Sequence, residues 1–145
     1  MPILRPIAPT MHQVSDENPA LAAWKYPGEG PPILFCHCTG TCARIWDPVI
    51  TRLSIANTII APDTRGHGNS GKPEVAKEYT WHGFAEDILR ILDAEKIPDG
   101  AWAVGHSGGA SAIVCAELMQ PGRFSRIVLI DPIIAPPAFF SDALS

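Results

Sequence analysis

The chain has 145 residues, 46% of them apolar and 18% charged, enough to bury one core, which excludes a disordered tail and a multidomain protein. Its 12 glycines and 15 prolines stand at breaks between apolar runs without a period, which excludes collagen-like and low-complexity chains. The net charge is −4, no basic cluster could neutralise a row of phosphates, and no apolar run approaches a bilayer span, so neither nucleic acid nor a membrane is an expected partner.

Residues 1–32 carry Pro2, Pro6, Pro9, Pro19, Pro27, Pro31 and Pro32. Only short strands fit between them, near residues 11–14 and 21–26, so this part reads as an amino-terminal ribbon. Residues 33–36 form a short, wholly apolar run after a proline pair. They predict a strand buried on both faces, ending in a tight loop at His37, Cys38, Thr39 and Gly40, with a helix to follow over about residues 43–55. Residues 58–62 repeat the buried-strand pattern, and the stretch from Asp63 through Arg65, Gly66, His67 and Gly68 to Gly71 is rich in turn formers, hence a long loop at the strand's carboxyl end. From Thr80, a candidate cap, Phe84, Ile88, Ile91 and Leu92 recur at helical spacing with Glu86 and Asp87 early, predicting an amphipathic helix that ends before Pro98. Residues 101–104 are the third buried strand. An abrupt turn at 105–109 leads from it into an alanine-rich helix to about Met119, stopped by Gln120, Pro121 and Gly122. Residues 127–130 are the fourth strand and end at Asp131 and Pro132. Strands alternating with helices imply right-handed parallel crossovers, hence an α/β fold with a mostly parallel sheet and flanking helices in a single domain.

Cys36, Cys38, Cys42 and Cys115 are too few and too uneven to staple the domain, and no secretory signal precedes them, so a reducing, cytoplasmic setting is expected. Cys36, Cys38 and Cys42 with His37 between read as thiols packed near a strand end. Zinc sites usually pair C-x2-C elements from two places, so no metal and no cofactor is expected.

The chemistry-bearing motif is Gly105-His106-Ser107-Gly108-Gly109, which fits G-x-S-x-G with a buried strand before it and a helix directly after it. A nucleophile elbow needs glycines on both sides, because the serine sits in a strained turn and a side chain at either glycine would strike a neighbouring element. Ser107 is therefore the candidate nucleophile. The competing reading is a glycine-rich turn of a phosphate-binding domain, but the G-x-G-x-x-G fingerprint is absent. The candidate oxyanion donors are the backbone N–H groups of Gly108 and of Thr39, each such donor typically worth about 3 kcal/mol. Gly40 lets that loop approach closely, and Cys38 stands where H-G-x-G loops often carry glycine.

Phe35 to Gly40, Trp46-Asp47-Pro48, Pro62 to Ser70, Gly105 to Gly109 and Ile130-Asp131-Pro132 together resemble successive landmarks of the α/β-hydrolase superfamily, from about residue 20 to the end. Within it the chain is similar to the serine branch, since Ser107 stands where dehalogenases and epoxide hydrolases carry aspartate. The resemblance implies esterase-like, lipase-like or C–C bond hydrolysis of a small-molecule substrate. It also implies the chain order serine, acid, histidine. No histidine follows Ser107, so the acid and base, the last strands and the mobile cap are expected beyond Ser145. The fold is then an incomplete α/β-hydrolase fold, with ribbon 1–32, core 33–132, and 133–145 as the start of a cap or tail.

Among residues at hand, Asp131 is a candidate acid, with a turn cap before Pro132 as the alternative. His37 and His106 are candidate substrate-binding residues. As substitute bases only His37 and His67 come into view, because their loops leave strand carboxyl ends, whereas strand alternation turns His106 away from Ser107. Asp63 and Arg65 read as structural. Loss of a triad member typically costs about a millionfold in kcat, so these residues alone are expected to be weakly active or inactive. The strand over 127–130 is expected to be an open edge, which raises the other reading: a non-catalytic, regulatory protein that self-associates through that edge.

Overall fold

A computed structural model describes residues 8–53, 56–134 and 136. Six strands form one sheet in the order β1-β2-β4-β3-β5-β6: β1 (Thr10–Ser15), β2 (Leu21–Tyr26), β3 (Gly30–Cys36), β4 (Asn57–Asp63), β5 (Ala101–His106) and β6 (Phe124–Ile130). The ribbon strands β1 and β2 pair antiparallel with each other, and β2 pairs antiparallel with β4. The four core strands β4, β3, β5 and β6 run parallel. Parallel neighbours need crossovers, and the chain supplies them with helices on the sheet faces.

The pleat sorts the apolar runs onto two faces. Leu34 and Cys36 of β3, Ile60 of β4 and Ala103 of β5 pack with Ile88, Ile91 and Leu92 of α2 (Trp81–Ala94) and Ile113 and Ala116 of α3 (Gly108–Met119). Ile33 and Phe35 face the other way, with Ile59, Tyr26 and Trp46. That β3 is apolar at every position from Ile33 to Cys36 follows from its central place between two covered faces. Each such fully buried Leu, Ile or Phe stabilises by about 1.5–3 kcal/mol relative to exposure.

The helix α2 begins where expected: Thr80 Oγ1 accepts the Gly83 N–H at 3.0 Å and caps the first turn. The helix expected over residues 43–55 is much shorter, a 3₁₀ turn Ala43–Trp46 followed by α1 (Asp47–Ile50), with residues 54–55 outside the described set. Pro48 is the reason. A helix begun at Ala43 would place Pro48 in its interior, where it lacks an N–H and strikes the preceding turn, so the chain restarts with the proline in the first turn. Trp46 instead packs edge-on against Phe35, ring centroids 5.2 Å apart.

Among the described residues β6 is an edge of the sheet, with Val128 and Ile130 exposed on one of its faces. Most of the segment 133–145, read as the start of a cap or tail, lies outside the described residues. Among the described residues no helix is long and apolar enough to cross a membrane.

Candidate active site

The turn between β5 and α3 is held by packing that leaves no room for a β-carbon. A Cβ on Gly105 would lie 2.6 Å from Ala110 Cα, and one on Gly109 would lie 2.4 Å from the His37 carbonyl oxygen. The first element of the helix is thus pressed against the strand before it and against the end of β3. Ser107, between them, adopts φ 50° and ψ −117°. A conformation of this kind costs a non-glycine residue of order 1–3 kcal/mol and survives only where the surroundings over-determine it. They do: the Ser107 N–H donates to the Ile130 carbonyl of β6 at 2.9 Å, and its carbonyl accepts from the Ser111 N–H at 3.1 Å. Ser111 Oγ in turn accepts the Ile133 N–H at 3.0 Å, tying the chain after β6 to α3.

Facing this turn is the loop after β3. A Cβ on Gly108 would stand 2.6 Å from Thr39 Oγ1 and 3.8 Å from Thr39 N, so the Thr39 loop packs directly against the first residue of α3. Neither the Thr39 N–H nor the Gly108 N–H donates to an acceptor among the described residues; for Gly108 this is the ordinary state of a first helical turn. The Thr39 N–H is aimed by its own peptide plane. The carbonyl of Cys38, the other half of that planar unit, accepts from His37 Nδ1 at 2.8 Å, Thr41 Oγ1 at 2.7 Å and Thr41 N at 3.3 Å. In a trans peptide the N–H points opposite to the C=O, so pinning the carbonyl turns the N–H the other way. Between the loop and the helix lies a cleft of about 30 Å³, lined by His37, Thr39, Thr64, His67, Gly108 and Gly109 with Trp81, Phe84 and Ala112. That is room for a water or one anionic oxygen, not for a whole substrate.

A family model of the alpha/beta hydrolase fold matches residues 31–145. The chain belongs to the alpha/beta hydrolase family. It is 38% identical over 105 residues to 2-(acetamidomethylene)succinate hydrolase of Mesorhizobium japonicum, covering 72% of this chain and 36% of that protein. It is 39% identical over 101 residues to an epoxide hydrolase of Caballeronia sordidicola, covering 69% and 30%. The crystal structure of E-2-(acetamidomethylene)succinate hydrolase superposes with a TM-score of 0.76 at 32% identity, covering 89% of this chain and 46% of that one. The chain therefore spans about a third of the length of the curated relatives it matches and under half of the solved structure, consistent with an incomplete hydrolase fold.

In this chain the remaining candidates fall into two groups. His37 and His67 are woven into the loops. His37 is buried, and its Nε2 accepts the Thr64 N–H at 3.1 Å while Nδ1 serves the Cys38 carbonyl. Burial holds its pKa below the usual imidazole value, so the ring is neutral. His67 Nε2 accepts the Gly40 N–H at 3.0 Å and its Nδ1 donates to the Arg65 carbonyl at 3.0 Å. With both nitrogens of each ring occupied, neither imidazole is free to take a proton from Ser107. His37 can touch a ligand only with the ring surface that lines the cleft. His106 lies on the opposite face of β5 from Gly105, opposite Ile130 of β6, away from the cleft. Asp131 is exposed, with φ 47°, one residue beyond the Ile130 carbonyl that holds Ser107.

Asp63 and Arg65 are structural. Asp63, fully buried, accepts from the Ala43 N–H at 2.8 Å and the Asn69 N–H at 2.9 Å. Arg65 forks onto Asp87 at 2.6 and 2.8 Å and reaches the carbonyls of Gly83 and Glu78. Burial pushes the Asp87 carboxyl up in pKa, and the guanidinium beside it opposes that shift. All four cysteines are free thiols, and burial pushes Cys36 up to about 12, which makes it inert. Among the described residues no group of three or more His, Cys, Asp or Glu side chains is placed to hold a metal.

Sequence reasoning missed Thr41, Thr64, Asp87 and Ser111 as supports of the site. Asp87 was visible only as an early acid on a helix; its burial at 1% exposure marks it as a partner for Arg65. Thr41, Thr64 and Ser111 act through contacts between separate loops, for which local spacing carries no signal.

Proposed function

We propose that Ser107 is the nucleophile of a serine hydrolase that cleaves an ester-like or related carbonyl bond of a small molecule through an acyl-enzyme. The observation that carries this reading is the strained Ser107 elbow set beside two backbone donors, Gly108 N–H and Thr39 N–H, that are unpaired among the described residues. Ser107 Oγ attacks the carbonyl carbon and its proton passes to a general base. The carbonyl oxygen becomes an oxyanion between the two N–H groups, and collapse expels the leaving group with that proton. Water then attacks the acyl-enzyme and restores Ser107. On this reading the general base is supplied by chain outside residues 1–145, since no histidine follows Ser107 and His37 and His67 are engaged, and Asp131, at the end of the strand beside the elbow, is the acid candidate.

The choice of serine separates two chemistries carried by the relatives. An acyl-serine ester is open to water at its carbonyl, whereas serine attack on an epoxide would leave an ether that water does not cleave under mild conditions. Carbonyl substrates of the kind named for the Mesorhizobium relative therefore fit Ser107 better than epoxides. The free thiols support a reducing, cytoplasmic setting.

Exposure of Val128 and Ile130 on the edge strand β6 supports a second reading, a non-catalytic protein that self-associates through that edge. One experiment separates the two: fluorophosphonate treatment of the protein expressed together with the chain that supplies the general base, with mass measured before and after. Covalent labelling that disappears in Ser107→Ala is expected. Labelling that persists in Ser107→Ala, or none at all, overturns the nucleophile; none at all with a concentration-dependent native mass selects the second reading.

A further inference from the structure

Two loops meet above the parallel strands, and the bond that joins them is a backbone N–H given to a histidine. Gly40, at φ 83°, follows Thr39 in the loop after β3, and its N–H points out of that loop to His67 Nε2 at 3.0 Å in the loop after β4. The His67 ring is itself immobilised. Its Nδ1 lies 3.0 Å from the Arg65 carbonyl and 3.1 Å from Thr64 Oγ1, and its ring meets His37 edge-on at 5.2 Å between centroids. The loop that carries it is bolted down by Asp63, which binds the Asn69 N–H, and by the Arg65–Asp87 pair.

Thr39 thus sits between two peptide units held from different sides. The Cys38 carbonyl ahead of it is held by His37 and Thr41, and the Gly40 N–H behind it by His67. The contacts on the Cys38 carbonyl come from the same loop and set the Thr39 N–H direction relative to that loop, whereas the Gly40–His67 bond ties the loop to the one after β4. Gly40 in this conformation has no intraloop acceptor for its N–H, so without His67 that donor would turn to solvent or into the cleft. We propose that His67 is a positioning residue: by taking the Gly40 N–H it fixes the loop that aims the Thr39 N–H at the oxyanion site beside Ser107. This rests on the reading of Ser107 as nucleophile, because an oxyanion site has work only if a tetrahedral oxygen forms there. Fixed donors need no reorganisation when charge develops, which is the basis of their effect on rate.

The test uses the protein expressed together with the chain that supplies the general base, ¹⁵N-labelled, in two measurements. A scalar coupling between the Gly40 amide nitrogen and His67 Nε2 across the N–H···N bond is expected in the unsubstituted protein, and its absence overturns the latch without recourse to a variant. Second, the Gly40 and Thr39 amide resonances and the rate of fluorophosphonate labelling are followed in His67→Phe, which keeps an edge contact to His37 but accepts no hydrogen bond, and in His67→Gln, whose side-chain carbonyl can accept one. The expected result is a shift of both resonances and about a tenfold or greater fall in labelling rate for His67→Phe, with recovery of both in His67→Gln. Labelling at the original rate in His67→Phe, or shifted resonances with unchanged labelling, overturns the positioning role. If the unsubstituted protein is not labelled at Ser107 while the Gly40 coupling is present, the latch stands and the nucleophile reading falls.

Discussion

The loop after β4 and the turn after β5 both lie at the carboxyl ends of parallel strands, and they are held by opposite means. The loop is fastened by side chains: Asp63 accepts two backbone N–H groups, Arg65 forks onto buried Asp87, and His37 and His67 each accept a backbone N–H through Nε2. The elbow is fastened by backbone packing, with Gly105 and Gly109 pressed against Ala110 and the His37 carbonyl. A loop held by polar partners fails when a partner is deleted or changes charge. A turn held by close approach fails when a single carbon is added. The protein uses the first device where loops must meet across a gap, and the second where one residue must be kept in a conformation it would otherwise leave.

The largest effect expected on the loop side is from Asp87→Ala, which leaves Arg65 buried without its counter-charge and should destabilise by about 3–5 kcal/mol in urea unfolding. The double substitution Arg65→Met, Asp87→Leu should cost less than the single one, because it removes both buried charges; an equal or larger loss would show that the loop depends on the charge pair itself. On the elbow side, Gly109→Ala adds one carbon against the backbone carbonyl of His37 and should cost about 1–3 kcal/mol. It should also abolish fluorophosphonate labelling, since the loop carrying Thr39 must move to make room. Retained labelling would show that the approach is not needed.

The smallest effect is a pH dependence confined to the loop side. His37 is held neutral by burial, its pKa lowered in the fold, so below the unfolded imidazole value of about 6.5 the unfolded chain binds a proton that the folded chain does not. The stability from this group is present above about pH 6.5 and is lost as pH falls from there towards the folded pKa, with a slope of at most about 1.4 kcal/mol per pH unit. Unfolding midpoints at pH 7.5, 6.5 and 5.5 should fall in that order, and the Thr64 amide, bonded to His37, should lose hydrogen-exchange protection in step. A flat profile would show that the ring is already solvated.

Much of the architecture was legible along the chain because it depends on short-range pattern. Apolar runs of four or five residues, each followed by turn formers, marked β3, β4, β5 and β6. Thr80 marked the start of α2, and G-x-S-x-G between a strand and a helix marked the elbow. The helix over 43–55 was overestimated because apolar spacing continued through Pro48, whose effect outweighs periodicity. The candidate site was legible only at its covalent centre. Ser107, Gly108 and Thr39 follow from a motif, but the reason that Thr39 can face Gly108 lies in Thr41, His37 and His67, which reach it from two loops.

The sequence by itself determined a mostly parallel α/β sheet with a serine in a glycine-flanked turn from strand to helix, because periodicity, glycine placement and caps act over a few residues and are written locally. Only the tertiary structure decided what the polar residues between those elements do. Whether a histidine is a base or a strut, and whether an aspartate is an acid or an anchor, depends on which hydrogen-bond partners arrive from elsewhere in the chain. In this fold His37 and His67 became struts and Asp63 and Asp87 anchors, since each met donors or a guanidinium across a loop junction where an unpaired polar group would carry the full cost of leaving water.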